Sequence, residues 1–300
     1  MKIFHVADLH IGKKIHEFNL LADQVFILKQ MVALAVREQP DVLIIAGDVY
    51  DKAIPPAEAV MAFDEFLTDL AANQVPVLLI AGNHDSPERL HFGGRIMAKS
   101  QIFPMGVFGG GLVKHTFYDD YGPVHFWLLP FVKPGQVRRF FPEQNIDSYQ
   151  DAVAAVLAAA KLDNTCRNLL VAHQFVIAGG TEPLRSESET ITIGGLDQVD
   201  AAVFGDFDYV ALGHLHRSQA IGGEQIRYAG SPLKYSFSEA RQEKSLTMVE
   251  LGCKGELHIC QLPLQPLHDM REIKGSLATL ISSAVVMSAD REDYLRVILT

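Results

Sequence analysis

The sequence predicts an α/β fold, and two observations carry the prediction. Short apolar runs that do not alternate, such as Val75–Ala81, recur along the chain and are typical of strands buried on both faces. The first three of these runs are separated by two stretches with apolar residues at helical spacing. A β-α-β-α-β order predicts parallel strands joined by right-handed crossovers. We therefore expect the carboxyl ends of the strands to meet at one sheet edge, where open α/β sheets usually carry their chemistry.

The first third of the chain shows the pattern most clearly. Its predicted strands are Lys2–Ala7, Asp41–Ala46 and Val75–Ala81. Asn19 is a candidate cap for a helix to about Glu38, and Pro55 and Pro56 open a helix to about Asn73. A shorter helix is expected over Pro87–Lys99.

The remaining elements are less regular. Short strands with Gly-rich turns predict an antiparallel or mixed region over Gly106–Leu129, and helices are expected from Pro134 and over Asp151–Lys161. Gly179–Gly195 is a long polar loop of a length that is often functional. The later predicted strands are Asn168–Ala172, Asp208–Leu212, Gln225–Ala229, Ser245–Leu251 and Glu256–Leu262.

Pro263 and Pro266 indicate a domain boundary, with a first domain over residues 1–265 and a second over residues 266–300. The second part predicts strand, helix and strand, which is too little to bury a core of its own. Because the sequence ends at Thr300 in an apolar strand, we expect these residues to be the beginning of a truncated domain.

Composition limits the possible functions. A formal net charge of −10 argues against nonspecific nucleic-acid binding through a broad basic surface, although bound cations can reverse the local charge. Three cysteines without metal-type spacing suit a reducing cytoplasm. No apolar run approaches the roughly 20 residues that span a bilayer. We therefore expect a soluble cytoplasmic protein with no membrane partner.

Polar side chains follow five of the predicted strands. The candidate metal ligands are Asp8, His10, Asp48, Asn83, His173, His214 and His216, and His84 is a candidate acid. A single Asp or His at such a place is usually a turn or core residue, but recurrence at five strand ends indicates one shared site. Mixed carboxylate, imidazole and amide ligands suit Mn²⁺ or Fe²⁺. Seven ligands are too many for one ion and about right for two that share a carboxylate, an arrangement suited to displacement at phosphorus.

Two neighbouring residues have alternative interpretations. Asp85 either orients the imidazole of His84 or caps the turn into Pro87. Asp51 is expected to be a turn or helix-cap residue. The other histidines, among them His5 and His258, are expected to be structural.

The motifs Asp8-x-His10, Gly47-Asp48, Gly82-Asn83-His84-Asp85, His173 and Gly213-His214-x-His216 resemble those of the calcineurin-like metallophosphoesterase superfamily. Three further stretches resemble the bacterial DNA nuclease subunits of that superfamily that act with an SbcC-type ATPase: Ser188–Asp197, Gly230–Glu239 and Leu267–Gly275. The resemblance implies two mixed β-sheets packed as a sandwich flanked by helices, followed by the start of a small capping domain.

The resemblance also implies an activity and a ligand set. The activity is that of a metal-dependent nuclease in DNA repair, recombination and replication, a 3′–5′ exonuclease on double-stranded DNA and an endonuclease on single-stranded or hairpin DNA. One metal would take Asp8, His10, Asp48 and His216, and the other would take Asp48, Asn83, His173 and His214. Mn²⁺ is the expected ion, with Fe²⁺ or Zn²⁺ also accepted by these ligands. His84 would donate a proton to the leaving group or bond to a phosphate oxygen.

Partners follow from the same resemblance. It implies a homodimer formed through the Pro55–Asn73 and Pro87–Lys99 region, although the pattern alone favours a place for the apolar faces of these two helices in the protein core. It also implies a region that binds the SbcC-type ATPase, and we expect that region to be missing. Four cations either contact the DNA backbone or are solvated surface charges: Lys13, Lys14, Arg89 and Arg95. Two other functions stay open, a phosphomonoesterase or small-molecule phosphodiesterase of the same superfamily, and a non-catalytic scaffold subunit.

Overall fold

A computed structural model describes residues 1–189, 197–287 and 292–300. Its helices are α1 (Leu21–Glu38), α2 (Ala57–Ala72), α3 (Pro87–His91), α4 (Gly94–Met97), α5 (Pro134–Val137), α6 (Tyr149–Ala159), α7 (Leu277–Leu280) and α8 (Ser283–Val286). Short 3₁₀ helices are Ala98–Ser100, Ala201–Phe204 and Phe237–Glu239. Its strands are β1 (Lys2–Val6), β2 (Lys14–Ile15), β3 (Phe18–Asn19), β4 (Val42–Ala46), β5 (Val77–Ile80), β6 (Ile102–Met105), β7 (Val113–Asp119), β8 (Gly122–Leu129), β9 (Arg167–His173), β10 (Phe175–Ile177), β11 (Gln198–Asp200), β12 (Tyr209–Gly213), β13 (Gln219–Ala220), β14 (Ile226–Tyr228), β15 (Ser245–Leu251), β16 (Leu257–Pro263), β17 (Met270–Gly275) and β18 (Tyr294–Leu299).

Two large mixed sheets form the centre of the described part of the chain. The first has the order β16–β15–β1–β4–β5–β6, in which β1, β4, β5 and β6 are parallel and β15 and β16 antiparallel. The second has the order β13–β14–β12–β9–β8–β7, with parallel pairs at its centre and antiparallel pairs at both edges. The expected fold of two mixed sheets is confirmed, as is the parallel pairing predicted for the first third.

The sheets pack face to face, with helices on their outer sides. On β4, Val42 and Ile44 lie in the core between the two sheets, while Leu43 and Ile45 pack with side chains of α1 and α2. A separate cluster joins the outer face of the second sheet to α6. Each central strand is therefore buried on both faces, which explains why its apolar run does not alternate.

Two features of the region after β5 differ from what the sequence predicted. The helix expected over Pro87–Lys99 is divided into α3, α4 and a 3₁₀ turn, because Gly93 has a φ of +75° that an α-helix does not allow. β6 was not predicted, and it contains Pro104, a residue that argues against a strand in a sequence. Pro104 is tolerated because β6 is the edge strand of the first sheet.

The chain after Pro266 packs against α1. β17 and β18 form a parallel pair, and α7 and α8 replace the single predicted helix between them. The buried carboxylate of Asp23 accepts hydrogen bonds from His268 N–H (3.1 Å), from His268 Nδ1 (3.0 Å) and from the Tyr294 hydroxyl (2.9 Å). The domain boundary at residue 265 stays a prediction. No helix of the described ranges is long and apolar enough to cross a membrane.

Candidate metal centre

The strand ends of both sheets deliver polar side chains to one place. Asp8 and His10 follow β1, Asp48 follows β4, and Asn83 and His84 follow β5. From the second sheet, His173 is the last residue of β9, and His214 and His216 follow β12. Asn83 and His84 are half-buried, and the other members of this group are buried.

The backbone around these side chains is unusually tight. Asp8, His10, Asp48 and His214 all have positive φ values, of 54°, 43°, 51° and 104°. Non-glycine residues rarely adopt such values, which cost on the order of 1–3 kcal/mol each and cluster at functional sites. Asp and His are enriched among the non-glycine residues that do adopt positive φ, so local preference and the arrangement of the site act together in these strand-to-loop turns.

One group of donor atoms surrounds His10. The Nε2 atoms of His10 and His216 lie 3.1 Å apart, and His10 Nε2 lies 3.7 Å from Asp48 Oδ2. Asp8, His10 and His216 offer one donor atom each within 4.8 Å of one another.

A second group shares Asp48 with the first. His173 Nε2 lies 3.4 Å from Asp48 Oδ2 and 3.0 Å from Asn83 Oδ1, and His214 Nδ1 lies 2.9 Å from the same amide oxygen. The other ring nitrogen of His173 donates to the Ala46 carbonyl oxygen at 2.8 Å, which directs Nε2 towards the donor group.

These distances fit divalent metal ions. Donors bound to one ion through bonds of about 2.0–2.2 Å lie about 3 Å apart when they are adjacent, which is the spacing found around Asn83 Oδ1. The Nε2 atoms of His10 and His216, 3.1 Å apart and grouped with Asp8, are likewise suited to a shared cation, and His10 Nε2 also lies 3.7 Å from Asp48 Oδ2. The residues therefore fit two divalent ions with Asp48 between them, and the identity of the metal is left open by this donor set.

The protonation of the centre without metal follows from burial and charge. Burial favours neutral His173, but the Asp48 carboxylate outweighs burial and raises the pKa of His173 to about 9. Burial would raise the pKa of Asp48, yet the neighbouring His173 and His10 hold it well below its usual value. Burial, together with the positive charge of the nearby His173, lowers the pKa of His214 to about 3. Asp8 is buried, and its pKa is raised despite the nearby His173. The proton on His173 thus partly offsets the charge of the Asp48 carboxylate, which a metal ion would neutralise more fully.

The hydrogen bonds of His84 and Asp85 do not join these two residues, so they do not support the first of the two interpretations of Asp85. His84 Nδ1 donates to the main-chain carbonyl oxygen of Asp51 at 2.9 Å, and its Nε2 lies 4.0 Å from Asp48 Oδ2. Asp85 instead accepts backbone N–H groups of Val49 (3.1 Å), Tyr50 (2.9 Å) and Gly82 (2.9 Å). A carboxylate at this position binds the two turns together, because three orphan N–H groups converge on it.

Asp51 contributes more than the expected turn. Besides its carbonyl contact with His84, its carboxylate accepts a hydrogen bond from Lys13 Nζ at 2.8 Å and lies 3.8 Å from His10 Nδ1. Lys13 also lies 5.6 Å from the centre of the Tyr235 ring. Of the four predicted DNA-contacting cations, Lys13 is thus held at the centre, while the other three are more accessible at the surface: Lys14, Arg89 and Arg95.

Several supporting residues were not predicted. Gln24 donates to the His10 carbonyl oxygen at 2.7 Å, and a hydrogen-bonded network lies behind His216, formed by the half-buried Ser188 and Glu189 and the buried Glu239 and Lys244. Three of the four network residues belong to stretches that resemble the nuclease subunits of the superfamily, which was the signal that could have found them. Thr190 to Leu196 of the first stretch lie outside the described residues. His5, by contrast, is a buried structural histidine that pairs with the Tyr209 hydroxyl at 2.9 Å.

Comparison with known proteins identifies the family of this chain. A family model described as calcineurin-like phosphoesterase matches residues 1–218, which contain every residue of the two donor groups. The chain belongs to the calcineurin-like phosphoesterase family. Within that family, it is 34% identical over 307 aligned positions to the SbcD subunit of the SbcCD nuclease of Staphylococcus epidermidis, and the alignment covers all of this chain and 79% of the relative.

Two solved structures are more distant. A dimetal phosphatase from Danio rerio aligns with a TM-score of 0.49 at 13% identity, over 89% of this chain and 97% of that chain. TT1561 of Thermus thermophilus aligns with a TM-score of 0.46 at 12% identity, over 87% of this chain and 98% of that chain.

Proposed function

We propose that this protein is a nuclease that uses two divalent metal ions, Mn²⁺ in the first place, to hydrolyse phosphodiester bonds of DNA. The observation that carries the proposal is the position of Asp48, whose Oδ2 lies 3.7 Å from His10 Nε2 and 3.4 Å from His173 Nε2, between the two donor groups. The nuclease named among the relatives supports DNA as the substrate. By the same likeness, we propose cleavage of double-stranded ends from 3′ to 5′ and endonuclease activity on single-stranded or hairpin DNA.

The ligands divide at Asp48. Asp8, His10 and His216 would hold one ion, Asn83, His173 and His214 would hold the other, and Asp48 would bridge them. Two such ions activate a water molecule near neutral pH and neutralise charge on the phosphate and leaving oxygen. They also answer the electrostatic objection of an acidic chain, because positive charge is then concentrated where the phosphate binds.

His84 is the proposed acid. Because its Nδ1 donates to a carbonyl oxygen, which can only accept, Nδ1 carries a proton and the ring is fixed with Nε2 directed towards Asp48 and the ion positions. In the doubly protonated ring, the second proton, on Nε2, would pass to the leaving 3′-oxygen and leave a neutral ring protonated at Nδ1, or it would bond to a non-bridging phosphate oxygen. His84 is only half-buried, so a substrate can reach it from solvent.

DNA contacts and assembly are further parts of the proposal. Lys14, Arg89 and Arg95 would bind backbone phosphates, whereas Lys13 would act from within the centre. Met61 of α2, Phe92 and Ile96 expose 70%, 85% and 74% of their surface, which supports a homodimer formed through α2 and the α3–α4 region. An SbcC-type ATPase in the cytoplasm is proposed as a partner from the likeness alone.

A comparison of substrates tests the function. End-labelled linear and hairpin duplexes and bis-p-nitrophenyl phosphate are incubated with the protein, with and without Mn²⁺, and Mn²⁺ stoichiometry is measured by calorimetry. We expect two bound ions and Mn²⁺-dependent cleavage of the DNA. Turnover of the small ester with intact DNA would identify a small-molecule phosphodiesterase, and the absence of Mn²⁺ binding at saturation would identify a scaffold.

Replacing His84 tests its role. His84→Ala should keep both ions and cleave DNA about 10²–10⁴-fold more slowly, the range for a lost general acid. His258→Ala is the matched control, because His258 is an exposed histidine on β16. A His84→Ala variant that cleaves at the parental rate with both ions bound would refute the acid role.

A further inference from the structure

A chain of hydrogen bonds runs from His216 into the protein interior. Ser188 Oγ lies 2.7 Å from His216 Nδ1 and 2.6 Å from Glu239 Oε1. Glu239 is fully buried, and its other oxygen accepts a hydrogen bond from Lys244 Nζ at 2.7 Å. His216 Nε2 faces the opposite way, towards His10.

The protons in this chain can be assigned by elimination. Glu239 Oε1 accepts the backbone N–H of Tyr235, and Oε2 accepts the ammonium of Lys244, so both oxygens act as acceptors. The single hydroxyl proton of Ser188 therefore points to Glu239. The Ser188 oxygen must then accept from His216, which places a proton on Nδ1 and leaves a lone pair on Nε2. That lone pair is what a metal ligand requires.

The same network holds the main chain of His216. Lys244 Nζ donates to the His216 carbonyl oxygen at 2.8 Å, and Glu189 Oε1 accepts the His216 N–H at 2.7 Å. The residue is thus fixed at its backbone N–H, its carbonyl and its ring, by side chains from two separate stretches of the chain.

Stability alone is a weak reason for this arrangement. Removing a carboxylate and an ammonium from water costs several kcal/mol per ion, and a buried pair often stabilises no better than apolar side chains. Lys244 and Glu239 are 8% and 0% exposed, so both carry that desolvation penalty. The benefit must lie in what the pair positions.

We propose that Ser188 and Glu239 are positioning residues for His216, which fix its ring tautomer and direct Nε2 into the metal centre. The inference rests on the proposed metal-dependent function. It also gives a role to the stretches Ser188–Asp197 and Gly230–Glu239, in which the two residues lie.

The chain offers a matched pair of serines for the test. Ser236 Oγ donates to the same Glu239 Oε1 at 3.0 Å, and its other hydroxyl contact is with Ser238. Mn²⁺ binding to the purified full chain is measured by calorimetry for the parent, Ser188→Ala, Ser188→Thr and Ser236→Ala. We expect Ser188→Ala to weaken one of the two ions about 10- to 100-fold, the usual effect of removing such a partner, and to leave the other unchanged. Ser188→Thr keeps the hydroxyl and should restore affinity, and Ser236→Ala should resemble the parent.

The outcomes separate this inference from the proposed function. A parent that binds no Mn²⁺ would overturn the function and the inference with it. Two ions bound equally well by the parent and by Ser188→Ala would overturn the inference alone, as would equal weakening by Ser236→Ala. A second measurement needs no metal: nitrogen-15 shifts of the histidine rings in EDTA-treated parent protein should show His216 protonated at Nδ1. A ring protonated at Nε2 would contradict the proposal.

Discussion

Gly82→Ala should disable the metal centre through a single methyl group. A Cβ at residue 82 would lie 2.1 Å from Asp48 Oδ1 and 2.4 Å from the Asp48 backbone nitrogen. Ordinary contact begins at 3.4 Å, so the turn and the carboxylate would have to separate by about 1.3 Å. Neither side can yield easily, because Gly82 N–H is bound to Asp85 and Asp48 Oδ1 accepts the His84 N–H at 2.8 Å.

The size of the effect follows from that displacement. A misplacement of about 1 Å costs on the order of 10²-fold in rate, and overpacking a buried turn costs about 1–3 kcal/mol of stability. We therefore expect a folded variant with a lower melting temperature, weaker Mn²⁺ binding and hydrolysis of bis-p-nitrophenyl phosphate reduced at least 10²-fold. Calorimetry, thermal unfolding and the colorimetric rate measure the three effects.

Gly109→Ala is the control, because a Cβ there meets no atom within 4 Å. It should bind Mn²⁺ and hydrolyse the ester as the parent does. If Gly82→Ala also bound two ions at parental affinity with an unchanged rate, the tight approach of the two turns would not be needed for the centre, and the reasoning would fail.

Three further expectations follow from charge and packing. In EDTA-treated protein, the charged His173 stabilises the fold below its ordinary pKa of about 6.5. This contribution is lost as the pH rises through about 9, so the free energy of unfolding in urea should fall over that window in the parent and much less in His173→Gln. The slope of log DNA affinity against log salt concentration should become shallower by about 0.9 for each phosphate contact that is removed. An unchanged slope would exclude the substituted residue from the DNA interface. The alanine variants to measure are those of Lys14, Arg89 and Arg95. Asp23→Ala leaves hydrogen-bond donors of His268 and Tyr294 unpaired, which should cost about 1–3 kcal/mol of stability. Limited proteolysis after Pro266 should therefore become faster. Equal digestion rates would show that other contacts hold this segment.

Local sequence predicted the strands well where both faces are buried. β4 and β9 are uninterrupted apolar runs over most of their length because cores lie on both of their sides, and such runs have no other common explanation at that length. Edge elements were predicted less well. β6 contains Pro104, and the break of the α3–α4 region depends on one glycine, so both are decided by neighbours that local patterns do not show.

Site chemistry was predicted at the level of residue type. Asp, Asn and His at successive strand ends indicated a shared centre, because parallel strands end at a common edge. The role of Asp51 was not accessible in this way, since its contact with His84 is made by the main-chain carbonyl, which every residue possesses. The two interpretations of Asp85 both involved residues close to it in the sequence, whereas two of its three backbone partners, Val49 and Tyr50, belong to a different turn.

By itself, the sequence predicted an α/β fold and the seven candidate ligands, because hydrophobic periodicity and strand-end polarity are local properties, and the resemblance of its motifs to a known family implied the two-sheet fold. Only the tertiary structure shows the distances between their donor atoms, the carbonyl oxygen that orients His84 and the side chains that lie behind His216. Those relations join residues as far apart as His10 and His216, whose Nε2 atoms lie 3.1 Å apart. Distances across two packed sheets depend on the position of every layer between them, and no short segment of the chain contains that information.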